Sequence, residues 1–203
     1  MTKLSMIKTI IFDLSEVYLR GLLGTHEILS KKLGINVEAL DLEIPEMQSL
    51  FEGKIAEEDY WKAAVRKYRW NININELKEI VRSNFREIKG VRKIIEKLKK
   101  NGYQLGLLSV HAKEWIDHCE REFDYHKLFD SVLYSFEVAV CKPDKKAYEL
   151  ILEKLKSKPE ECLFVDDSPK NLASASRLGM QTIRFQSPES LIEEFNRLDI
   201  NTK

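Results

Sequence analysis

At 203 residues, 43% of them hydrophobic and with 33 basic side chains balancing 33 acidic ones, the chain has room for one large domain, or for one domain with an insert, and carries no net charge. Zero net charge removes the global electrostatic case for nucleic acid, and no run of about 18 apolar residues provides a membrane span. Residues 1–6 lack a signal-peptide pattern, and Cys119, Cys141 and Cys162 share no metal-ligand spacing, so they read as free thiols in a reducing, cytoplasmic setting.

The first element is a short strand. Thr9, Ile10 and Ile11 are β-branched, run into Phe12, and end on Asp13, with polar turn residues after it. A helix-rich stretch follows from about residue 18 to residue 89. Thr25 is placed to cap a helix that stops at Gly34. A second helix lies between Pro45 and Phe51 and is closed by Gly53. Trp61, Ala64, Val65 and Tyr68 mark one face of a third, as bundle core or as a substrate platform. Asn73 with Glu76, or alternatively Asn75, caps a fourth whose apolar stripe is Leu77, Ile80, Val81 and Phe85. No strand pattern interrupts these helices, which read as a small bundle.

From Gly90 the pattern changes to alternating helices and strands. Val91, Ile94, Ile95 and Leu98 form a helix face stopped at Asn101-Gly102, and residues 103–109 form a strand. A helix over 112–123, a strand over 131–134 and a helix marked by Tyr148, Ile151, Leu152 and Leu155 come next. A strand over 162–165 runs into Asp166 and Asp167. Then come a helix over 170–178 stopped by Gly179, a strand over 181–184, and a helix opened by Ser187-Pro188. Residues 201–203 read as a frayed end. This alternation predicts an α/β fold with a doubly wound parallel sheet and right-handed crossovers. The first strand belongs to the same sheet, so the helical block is an insert.

Ligands of such sheets bind at the carboxyl ends of the strands. Four ends carry polar residues: Asp13; Ser109 with Val110 and His111; the turn Cys141-Lys142-Pro143-Asp144; and Asp166-Asp167-Ser168. Crowded carboxylates repel, and a hard divalent cation such as Mg²⁺ relieves that repulsion through oxygen ligands. A carboxylate can attack phosphorus, while a lysine ammonium and a serine hydroxyl bind the remaining phosphoryl oxygens.

Phe12-Asp13, Ser109, Lys142-Pro143-Asp144 with Tyr148, and Phe164-Val165-Asp166-Asp167-Ser168 together resemble the four motifs of the haloacid dehalogenase superfamily, in its phosphatase-like group. The resemblance spans the whole chain. Phe51-Glu52-Gly53-Lys54-Ile55 and the helix after it are similar to the caps of sugar-phosphate phosphatases and epoxide-hydrolase N-terminal domains. The resemblance implies a Rossmann-like core over 1–17 and 90–203 with a helical-bundle cap over 18–89. It implies Asp13 as nucleophile, Ser109 and Lys142 as phosphoryl holders, and a Mg²⁺ site of Asp13, the Ser15 carbonyl, Asp166 and Asp167. The substrate is then a small phosphorylated metabolite, a sugar phosphate being one option, with no nucleic acid or membrane partner.

Two positions depart from the family pattern. Ser15 stands where the phosphatases carry a second Asp that protonates the leaving group. Such acid–base help is worth roughly 10²–10⁴-fold, so slow turnover of alkyl phosphates is expected. Glu16 and His111 are the residues near enough in sequence to stand in. Val110 replaces a common Asn and removes a polar side chain near the phosphate. Two other readings stay open: a catalytically weak binding or regulatory protein, and a haloacid dehalogenase, whose chemistry needs neither the second Asp nor a metal.

Overall fold

The computed structural model describes residues 6–202. Residues 1–5, which carry most of the signal-peptide expectation, lie outside the described residues, as does Lys203. Five strands form one parallel sheet: β1 (Thr9–Phe12), β4 (Gln104–Ser109), β5 (Ser131–Tyr134), β6 (Cys162–Asp166) and β7 (Gln181–Arg184). Their order is β5-β4-β1-β6-β7, so the strand that ends on Asp13 is central. The α/β, doubly wound expectation holds.

Alternation along β1 explains its central place. Ile10 and Phe12 pack into the cluster shared with α5 (Val91–Lys100) and α10 (Pro188–Arg197). Ile11 packs into the opposite cluster, with α8 (Lys145–Leu155) and α9 (Pro169–Arg177). Both faces are therefore buried, and each such aliphatic side chain contributes about 1.5–3 kcal/mol. Gly106 in β4 lets α8 approach, since a Cβ there would meet Leu155 at 2.7 Å. The long helices are set by their ends. Ser187 and Ser190 bond each other's backbone N–H at 3.1 and 3.2 Å with Pro188 at the first helical position, and Asp144 caps α8 by accepting from Lys146 N–H at 2.8 Å.

Between β1 and α5 lie α1 (Thr25–Leu33), α2 (Pro45–Phe51), α3 (Glu57–Tyr68) and α4 (Ile74–Asn84). Asn73 is the cap of α4, accepting from Asn75 N–H at 2.8 Å, which resolves the choice between those two residues. Three expectations need correcting. The helical stretch is bracketed by a two-stranded antiparallel ribbon, β2 (Leu19–Arg20) and β3 (Arg86–Glu87), whose strands are too short to show an alternation. Thr25 is inside α1, not its cap: Gly24 takes that place at φ 87°, and the Thr25 hydroxyl donates to Gly21 O at 2.8 Å. The C-terminal end is not frayed as far as Thr202, which is buried; Asn201 O accepts from Asn101 Nδ2 at 2.8 Å. Among the described residues no helix is long and apolar enough to cross a membrane.

Candidate active site

The carboxyl edge of the sheet brings three carboxylates together. Asp13 follows β1, Asp166 ends β6, and Asp167 comes next; one oxygen from each lies within 4.8 Å of the others. Adjacent strands in register make this possible, because Phe12 pairs with Val165 and Asp13 N–H donates to Val165 O at 2.9 Å. Lys142, from the loop before α8, reaches into the cluster. Its Nζ lies 2.8 Å from Asp13 Oδ1 and 2.7 Å from Asp166 Oδ2, and all three side chains are almost fully buried.

Asp166 is completely enclosed and fully engaged. Its oxygens accept from Lys142, from Ser168 N–H at 2.8 Å, and from the Asn171 amide at 3.1 Å to each oxygen. It therefore anchors the start of α9 as well as Lys142. Asn171 is a residue that sequence reasoning missed; it sits on α9, where an uncharged side chain gives no signal, and its backbone is fixed by the Tyr148 hydroxyl at 3.0 Å. Asp167 is half-buried and has the freer carboxylate, which burial and then Asp166 push above the usual aspartate range.

The charges do not balance. Lys142 pairs with Asp13 and Asp166, and Arg184 lies beside the half-buried Asp167, so the three ionised carboxylates outnumber the one buried ammonium among them. Burial, opposed by Lys142 and reinforced by Asp166, raises the Asp13 carboxyl to about 7. Burial works against the Lys142 ammonium, yet Asp13 and Asp166 outweigh it and hold its pKa above the usual lysine range. A hard divalent cation fits this donor set in charge and in ligand type.

Ser109 ends β4 beside β1, and its buried hydroxyl has no hydrogen-bond partner among the described residues. The structure brings it to the same sheet edge without bonding it to the carboxylate cluster. Ser15 opens the turn after Asp13 and bridges to Leu19. Glu16 adopts the left-handed region at φ 58° and pairs with Arg20 at 3.2 Å, which gives that arginine a partner in the protein. Burial, and the nearby Asp167 after the opposing effect of Arg20, push its carboxyl up, so Glu16 lies within electrostatic reach of the cluster. His111 does not. Its ring packs at 5.6 Å from both Phe85 and Trp115, it is 1% exposed, and burial lowers its pKa to about 4. An imidazole held neutral at pH 7 is a poor proton donor, which removes His111 as a stand-in for the missing acid.

A family model described as haloacid dehalogenase-like hydrolase matches residues 10–185. The glyceraldehyde 3-phosphate phosphatase of Pyrococcus furiosus is 33% identical over 104 residues, covering 50% of this chain and 42% of the relative. The rat bifunctional epoxide hydrolase 2 is 30% identical over 110 residues, covering 50% of this chain and 19% of that much longer protein. The chain thus spans less than half the length of either. The solved structure of a haloacid dehalogenase family enzyme from Bacteroides thetaiotaomicron, in complex with magnesium and inorganic phosphate, superposes with a TM-score of 0.72 at 20% identity, covering 89% of this chain and 95% of that one. With most of its length matched by the family model, and with that model's fold, this chain belongs to the haloacid dehalogenase-like hydrolase family.

Proposed function

We propose that this chain is a Mg²⁺-dependent phosphomonoester hydrolase for small phosphorylated metabolites, sugar phosphates among them, with a core over 1–17 and 90–203 and a cap over 18–89. The observation that carries the reading is the surplus of carboxylates over ammonium at the sheet edge. A structural ion pair has no use for surplus carboxylates, whereas a divalent cation bound with a dianionic ester does.

In this reading the Asp13 carboxylate attacks phosphorus, the bond from phosphorus to the ester oxygen breaks, and the phosphoryl group rests on Asp13 until water takes it. Lys142 has three N–H donors; two are held by Asp13 and Asp166, which leaves one for a phosphoryl oxygen. The unpartnered Ser109 hydroxyl is a second donor for the same group. Asp13, Asp167, the Ser15 carbonyl and, through water, the already saturated Asp166 would hold Mg²⁺. The ion supplies charge neutralisation for the phosphoryl group when bound. The departing alkoxide needs a proton that Ser15 cannot supply, so alkyl esters turn over slowly and aryl esters less so. Halide displacement would leave Asp167 without a task, so no chloride release from 2-haloacids is expected. A weak binding protein, the other reading, differs from this one in having no turnover.

The test is p-nitrophenyl phosphate hydrolysis with Mg²⁺ and with EDTA. Turnover should need the metal and fall by at least about 10³-fold in Asp13→Asn. In Ser15→Asp, glycerol phosphate turnover should rise by about 10²-fold. Undiminished hydrolysis in Asp13→Asn, or no hydrolysis by folded wild type, contradicts the proposal.

A further inference from the structure

The region over 18–89, together with α6 (Lys113–Phe123), lines a pocket of about 190 Å³ that opens to solvent on the side of Leu23 and Glu43. That volume is enough for a benzene-sized guest. Its apolar walls include Leu22, Met47, Phe51 and Val81.

The hydroxyl and indole donors in the wall are spent on the protein. The indole N–H groups of Trp61 and Trp115 both donate to Glu57, at 3.2 and 2.7 Å. The Tyr60 hydroxyl donates to Leu42 O at 2.7 Å, and the Thr25 hydroxyl to Gly21 O at 2.8 Å. His26 is half-buried and Glu43 exposed, which puts them at the rim, where Leu23 is 61% exposed. A polyol reaching past the rim would give up hydrogen bonds to water and find the hydroxyl and indole donors already used, whereas a hydrocarbon has none to give up.

The cavity is close to the catalytic edge. Its Trp115 wall meets the His111 ring at 5.6 Å, and His111 is two residues beyond Ser109.

We infer that this cavity binds a small uncharged apolar group, an aromatic ring or a branched hydrocarbon about the size of benzene. The group is either the organic part of the phosphate ester or a free apolar ligand. Only the first source rests on the phosphatase reading, and it restricts that reading: a sugar's hydroxyls find no place in this cavity.

Fluorobenzene observed by ¹⁹F NMR, with EDTA present, probes the cavity without calling on catalysis. Saturable binding to the wild type is expected. Val81→Phe should weaken it by at least about tenfold, because the added ring occupies the same volume. Leu22→Phe, at a half-buried position that tolerates change better, should do the same. The absence of saturable binding to the wild type overturns the inference. So does unaltered binding in both variants, or in either one that folds alone. The Michaelis constants for phenyl phosphate and glycerol phosphate then separate the sources. A rise for phenyl phosphate only in the filled variants identifies the ester's own group, and no change for either identifies a free ligand. Fluorobenzene binding without any hydrolysis keeps this inference and removes the phosphatase reading; hydrolysis without fluorobenzene binding does the reverse.

Discussion

Glu57 and Asp13 are both carboxylates almost wholly removed from water, and their surroundings differ in kind. Glu57 opens α3 and receives two N–H groups from Arg82 at 3.2 and 2.7 Å, one from Trp61 and one from Trp115. One negative charge meets one positive charge, and the hydrogen-bonding capacity is filled. The cluster ties α3 and α4 to α6, which carries Trp115. At the sheet edge, Asp13 and Asp166 share a single Lys142, Asp167 lies within 4.8 Å of both without that partner, and the nearby Ser109 hydroxyl is unpartnered among the described residues. A saturated polar cluster has nothing left to offer a ligand, so it serves the fold. An unsaturated one is costly until something binds, so it serves function.

The largest effect on stability is expected from breaking the saturated cluster. Glu57→Ala leaves a half-buried guanidinium and two buried indole N–H groups without their acceptor, and should cost about 3–5 kcal/mol in urea unfolding. Turnover per folded molecule should hold within a few-fold. A cost below about 1 kcal/mol would show that Glu57 is not the tie described here.

His111 packs its ring against Trp115 of the first cluster and follows Ser109 of the second by two residues. Burial lowers its pKa from 6.5 to about 4. As pH falls, the unfolded chain takes up this proton first. The stabilising contribution is therefore complete above about pH 6.5 and is lost as pH falls toward 4, with about 2 kcal/mol going between pH 7 and pH 5. His111→Phe keeps the ring contacts and should flatten the acid limb by that amount. An unchanged acid limb would mean that the imidazole is not held neutral.

The same contrast explains what the sequence makes legible. Asp13, Lys142, Asp166 and Asp167 stand out because each ends a strand or opens a crossover, and a parallel sheet brings such positions to one edge. Glu57 does not stand out. It is followed by Glu58 and Asp59, so it reads as part of a solvated first turn, and its burial comes from Trp61, Arg82 and Trp115, the last two distant in sequence. Asn171 is silent for a related reason, since its role depends on Asp166 being across the turn. The ribbon of β2 and β3 is missed because two residues cannot show a period. Helix ends, by contrast, are local chemistry, and Asn73, Gly34 and Ser187-Pro188 mark them as expected.

The most direct test of the central claim, that the sheet edge is built with negative charge to spare, is thermal unfolding of the metal-stripped protein against added Mg²⁺. A ligand present at about a hundredfold over its Kd adds about 2.7 kcal/mol, which in a chain of this size raises Tm by roughly 5–10 °C. The account predicts that rise for the wild type, its loss in Asp167→Asn, and its retention in Glu57→Gln. A wild-type Tm that does not move with Mg²⁺ would contradict it.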